Sequence, residues 1–103
     1  MKQSILSKTH RVVDELGVEN QLPIWVEELS ELAKELCKWQ RIYKRVGTNL
    51  DITLRYNILS ELTDVENALE QIRHALGFTI EEQECEFIFK VNRTIEKELG
   101  QNE

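Results

Sequence analysis

The chain has 103 residues, with nineteen Asp and Glu against thirteen Lys and Arg and a formal net charge of −6 at pH 7. That length supports one hydrophobic core, so a single domain over residues 1–103 is expected and two independent cores are excluded. The acid excess argues against duplex nucleic acid as a partner, and no apolar run reaches the length of a membrane-crossing helix.

Four Gly, one Pro and no stretch alternating apolar with polar residues make the class all-α. The first helix is short and weakly amphipathic, running from about Ser4 to Leu16 through Ile5, Val12 and Val13, with Gly17 as its stop. Asn20 is placed to cap the second helix, with Pro23 in its first turn, where a missing N–H does no harm. That helix continues to about Arg45, and its seam is Trp25, Leu29, Leu32, Leu36, Trp39 and Tyr43. Residues Val46 to Asn49 break the pattern, and Asp51 caps a third helix that Gly77 stops after Leu76, giving a long antiparallel hairpin. Thr79 and Glu82 form a capping-box pattern opening a fourth helix, with an apolar side of Ile80, Phe87, Ile88, Val91, Ile95 and Leu99. Gly100 ends it, and the polar tail is expected to fray. Cys37 and Cys85 lack disulfide or zinc-site spacing and are expected as small buried side chains in a reducing compartment. The residues from Met1 to Ser4 hold no signal-peptide core, so a cytoplasmic location is expected.

The third helix carries an anomaly. Its seam reads Leu54, Ile58, Glu61, Val65, Ala68, Ile72 and Leu76, with a carboxylate where an apolar residue belongs. Asp64 follows one turn later, and Glu28 and Glu31 form a matching pair on the shoulder of the second helix's apolar face. Spacing alone is weak, because Glu81 and Glu84 repeat it as ordinary first-turn acids. Packed antiparallel, however, the two helices would aim four carboxylates at one point, where they repel unless a cation binds. Hard oxygen ligands at an open site favour Mg²⁺, with Mn²⁺ as a substitute. His74 lies half a turn from the seam and is expected at the surface, and no di-iron Glu-x-x-His pair or glycine-rich phosphate loop is present.

Glu27-Glu28-Leu29-Ser30-Glu31-Leu32 followed by Glu61-Leu62-Thr63-Asp64-Val65 resembles the Glu-x-x-Glu and Glu-x-x-Asp signature of the MazG-like, all-α nucleotide pyrophosphohydrolases. The resemblance covers roughly Gln21 to Arg93, and the spacing between the two motifs lies at the long end for that family. It implies a four-helix MazG-like bundle that hydrolyses a nucleoside triphosphate to the monophosphate and pyrophosphate. By the same carry-over Glu28, Glu31, Glu61 and Asp64 hold Mg²⁺, which bridges the phosphates and helps activate water, and one of them accepts a proton.

Lys90 and Arg93 match basic residues that meet phosphates in similar proteins, yet they lie largely opposite the apolar arc and read equally as a solvated face. Gln21 and Trp25 precede Glu28 by two turns and one, within reach of a base by hydrogen bonding and stacking, although a core position suits Trp25 better. A non-catalytic helical dimerisation module is the alternative, whereas a helix-turn-helix regulator is disfavoured by the lack of a basic recognition helix. Either surviving reading leaves seams to cover, so a homodimer or tetramer is expected.

Overall fold

Gly17 alone separates the first two helices. In the computed structural model, which describes residues 2–100, its φ of 86° lets the chain close α1 (Gln3–Leu16) and open α2 (Val18–Val46) without a spacer. Its N–H donates to the Val13 carbonyl at 2.8 Å, and its own carbonyl accepts from Gln21 N–H at 3.2 Å. The expected cap at Asn20 is therefore displaced by three residues. Asn20 lies inside α2 and its Nδ2 donates back to the Leu16 carbonyl at 2.7 Å. Pro23 is in the second turn, where its ring removes the donor for the carbonyl of exposed Glu19, a group that water can serve.

The hairpin turn is tied from within. Trp39 Nε1 donates to the Gly47 carbonyl at 2.8 Å, and Asp51 accepts from Leu54 N–H at 2.8 Å to start α3 (Ile52–Leu76), as its position predicts. At the other end of α3, Gly77 has φ 70° and its N–H bonds the His74 carbonyl, while Phe78 N–H bonds that of Arg73, both at 3.2 Å. This paired ending is the Schellman arrangement that a left-handed glycine permits. Thr79 and Glu82 then make both bonds of the capping box that opens α4 (Ile80–Thr94). The last turn differs from expectation: Ile95–Leu99 is π-helical, closing at Gly100, and the polar tail beyond lies outside the described residues.

The chain is all-α with four helices and, among the described residues, no strand. Its core is small and gathers where α1 covers the hairpin: Val13, Trp25 and Ala68, with Ile72 and Ala75 packed on them and Val65 nearby. Three buried polar residues share that layer. Gln71 Oε1 accepts from Trp25 Nε1 at 2.7 Å and from Gln21 Nε2 at 3.3 Å, and Gln71 Nε2 donates to Thr9 Oγ1 at 3.1 Å. The Thr9 hydroxyl in turn donates to Asn67 Oδ1, so one amide joins α1, α2 and α3. Nearby, His74 is not the free surface residue its helical position suggests. It stacks on His10 with ring centroids 4.1 Å apart, and each imidazole Nε2 donates to a carboxylate on the opposite helix, Asp14 at 2.9 Å and Glu70 at 2.8 Å.

Away from that layer the seams open. Leu29, Leu36 and Tyr43 of α2 are exposed, as is Leu76 of α3: among the described residues α2 turns Trp25, Glu28, Leu32, Glu35 and Trp39 inward, so half of the expected seam faces outward. The fourth helix packs against none of α1, α2 or α3 and buries no residue. Cys85 is consequently exposed, and so is Cys37 on the outer side of α2, against the expectation of burial for both. The radius of gyration, 16.9 Å, exceeds the roughly 13 Å of a compact 100-residue domain, as a projecting helix requires. No helix is long and apolar enough to cross a membrane.

Replacing Gln71 with Leu leaves the buried Trp25 and Gln21 donors without an acceptor, and should cost about 2–4 kcal/mol in urea unfolding. A loss below about 1 kcal/mol would show that the three helices are held by other contacts. Thr79→Ala should lower protection of the Glu82 amide by about 1 kcal/mol in hydrogen exchange and leave α1 to α3 unchanged. Accepting the Thr79 N–H at 2.9 Å holds the Glu82 carboxyl below its ordinary pKa. That contribution is fully present above the ordinary Glu range and is lost as pH falls through the depressed value, so the first turn of α4 should fray on acidification.

Candidate metal centre

Helical periodicity and the antiparallel hairpin bring three of the four expected ligands together. Carboxylate oxygens of Glu28 from α2 and of Glu61 and Asp64 from α3 lie within 4.8 Å of one another. Opposite ligands of an octahedral Mg²⁺ stand about 4 Å apart, so the three are within a small side-chain adjustment of holding one ion. Glu28 and Glu61 are half-buried and Asp64 is exposed, which leaves an open side for water or a ligand.

The electrostatics agree with that use. Partial burial, followed by the charge of Asp64 and a hydrogen bond with it, lifts the Glu28 carboxyl above its ordinary range, and Glu61 and Glu27 add to the effect. Burial likewise leads for Glu61, followed by Asp64, Glu31 and Glu35, with Lys34 opposing. Among the described residues no Lys or Arg nitrogen comes within 4.0 Å of Glu28, Glu61 or Asp64. Anions crowded this way without a basic partner gain from a divalent cation, and an all-carboxylate donor set suits a hard one.

Glu31 is placed differently from the other three. It stands outside the 4.8 Å group, with Lys34 Nζ at 3.8 Å, and acts on Glu61 through its charge. Three residues on, it lies about 60° around α2 from Glu28. Glu35, which the motif reading passed over, stays on the line of Glu28. It follows Glu28 by two turns, its side chain is 13 % exposed, Oε1 accepts from Lys38 at 2.9 Å, and Oε2 is buried with no hydrogen-bond partner. The heptad spacing from Glu28 was the available signal.

The four residues assigned to substrate are not gathered at the carboxylates. Lys90 and Arg93 ride on the unpacked α4, where Lys90 Nζ lies 3.8 Å from Glu86 and the Arg93 guanidinium sits 5.9 Å from the Phe89 ring centroid. Gln21 and Trp25 are both buried with their polar ends on Gln71, so neither is free to meet a base. Other basic groups stand on α2. Lys38 and Arg41 line a shallow cleft of about 380 Å³ together with Glu35, Asp51, Thr53 and Asn57.

The chain matches no protein-family model, and no curated protein and no solved structure is significantly similar to it.

In calorimetric titration with Mn²⁺ and with Mg²⁺, the wild-type chain should bind a divalent ion, and Glu61→Gln and Asp64→Asn should each weaken it at least about tenfold with helix content unchanged. Equal affinity in the wild type and both variants would remove the centre.

Proposed function

We propose that this chain is a Mg²⁺-dependent nucleoside triphosphate pyrophosphohydrolase, converting a ribo- or deoxyribonucleoside triphosphate to its monophosphate and pyrophosphate. The observation that carries the reading is the convergence of Glu28, Glu61 and Asp64 from two helices without a basic partner among the described residues. The Glu-x-x-Glu spacing of Glu28 and Glu31 and the Glu-x-x-Asp spacing of Glu61 and Asp64 support it. Glu28, Glu61 and Asp64 would hold the ion, with Glu31 and Glu35 adding negative field from α2. When bound, Mg²⁺ supplies charge neutralisation of phosphate oxygens and lowers the pKa of a water bound to it. Arg41, in the cleft beside Glu35, offers forked donors suited to a phosphate, and Lys38 a compact cation. The orphaned Glu35 Oε2 is placed to accept a proton or a water hydrogen bond. Free, exposed Cys37 and Cys85 suit the reducing conditions of a cytoplasm.

A second reading, a non-catalytic dimerisation module, is favoured by one feature, the exposed apolar residues Leu29, Leu36 and Tyr43 on α2 with Leu59 and Leu62 on α3. Under either reading a homodimer or tetramer follows from the uncovered helix faces.

Pyrophosphate release from a panel of canonical and modified nucleoside triphosphates separates the two. Release that requires Mg²⁺ or Mn²⁺, stops with chelator and falls at least about 100-fold in Glu61→Gln is the expected result. Silence across the panel in a chain that binds no metal would leave the interaction module standing.

A further inference from the structure

Where α4 leaves the end of α3, an open groove of about 690 Å³ lies between them and shares no residue with the acidic cluster. That size falls within the range of small-ligand cavities, roughly 300–1,000 Å³. Its floor is apolar and faces water: Phe78 is 49 % exposed, Phe87 71 % and Val91 39 %, with Ile95 completing the row. Covering such a floor gains roughly 25 cal/mol for each Å² of apolar surface removed from water. The groove therefore favours an occupant with an apolar body.

The polar side chains around that floor say what else the occupant carries. Glu82 is committed to the start of its own helix, where its carboxylate accepts the Thr79 N–H at 2.9 Å. Gln83 Nε2 donates to the Phe78 carbonyl at 3.2 Å, and Thr94 Oγ1 donates to that of Lys90 at 2.9 Å. Lys90 Nζ stands 3.8 Å from Glu86 Oε1, one turn away on α4. Arg73 is the exception. It is half-buried on the last turn of α3, and among the described residues its side chain has no hydrogen-bond partner and no carboxylate within 4.0 Å, Glu82 and Glu86 included. A guanidinium presents five N–H donors in a rigid fork that matches the two oxygens of a carboxylate. Here that fork is unspent beside an apolar floor.

We propose that this groove binds a small organic anion, a carboxylate on an aliphatic or aromatic body, with the carboxylate on Arg73 and the body along Phe78, Phe87 and Val91. A neutral apolar molecule would cover the floor and leave the fork unused, whereas a bare anion would meet the fork and leave the floor wet. The proposal rests on the groove alone and is independent of the nucleotide reading, which uses none of these residues.

The test is calorimetric titration of the full chain with decanoate below its micelle concentration, with 1-decanol as the uncharged match and acetate as the head group alone. Circular dichroism verifies helix content in each variant. The wild type should bind one decanoate with a Kd below about 1 mM, bind 1-decanol more weakly, and give no heat with acetate. Arg73→Gln should weaken decanoate about tenfold and leave 1-decanol unchanged, because only the forked contact is lost. Phe87→Ser should weaken both, and Glu61→Gln should bind decanoate as the wild type does, which separates this site from the acidic cluster. The proposal is overturned by a lack of saturable decanoate binding, by several equivalents adsorbing to each chain, or by Arg73→Gln and Phe87→Ser variants that bind decanoate like the wild type. It is equally overturned if 1-decanol binds as tightly as decanoate, since the groove would then be apolar surface with no use for Arg73.

Discussion

The arrangement of the first three helices depends on the side chain of Gln71. Its amide has one acceptor oxygen and two donor hydrogens, and the fold uses both ends at once, taking hydrogen bonds from Trp25 and Gln21 and giving one to Thr9. A buried polar network of this kind is costly unless satisfied, and once satisfied it permits few alternatives. It sets how far α2 slides along α3, since Trp25 meets Gln71 while the amide one turn earlier, Asn67, is taken by Thr9. The acidic cluster inherits that register. Glu28 is one turn from Trp25 and Asp64 two turns from Gln71, so the carboxylates converge as a consequence of a hydrogen bond made elsewhere.

Repulsion within the cluster opposes the packing that creates it. Glu28 and Glu61 are partly withdrawn from water beside other anions, and both hold their protons more firmly than an exposed carboxyl does. Nature seldom retains such a cluster in a half-open seam for stability alone, because an apolar residue at position 61 would pack without the penalty. The same economy of burial runs through the chain. Its apolar residues outnumber what three short-reaching helices can cover, and the surplus is sorted onto particular faces, not spread evenly.

Much of this was legible before any coordinates. Local chemistry determines helix ends, and Asp51, Gly77 and the Thr79 and Glu82 box lie where their side chains and φ preferences put them. The convergence of Glu28, Glu61 and Asp64 was readable because a carboxylate in an apolar seam conflicts with its surroundings, and conflict of that kind is visible from periodicity, whereas Glu31, expected beside them, stands outside the group. Long-range choices were not. Whether Asn20 or Gly17 begins α2 turns on a single residue's positive φ, and whether Trp25 faces a ligand or Gln71 depends on a partner 46 residues away. Glu35 was missed because the four-residue motif stops at Glu31, although the seven-residue repeat of the seam passes through it. The fate of Cys37, Cys85, Lys90 and Arg93 hinged on where whole helices pack, and periodicity tells which face a residue occupies but not whether anything lies against it.

The two tryptophans make α2 a ruler of its own environment. Trp25 is sealed in the core with its indole N–H on a side-chain amide, whereas Trp39 is half-buried with its N–H on the backbone of the hairpin turn. Fourteen residues of helix put them about 21 Å apart, too far for either to sense the other's surroundings. Light emitted by this chain is thus the sum of a dry indole at the three-helix end and a wetter one at the turn. Each end carries its own optical label, and a change confined to one end alters one component of the spectrum while the other holds still.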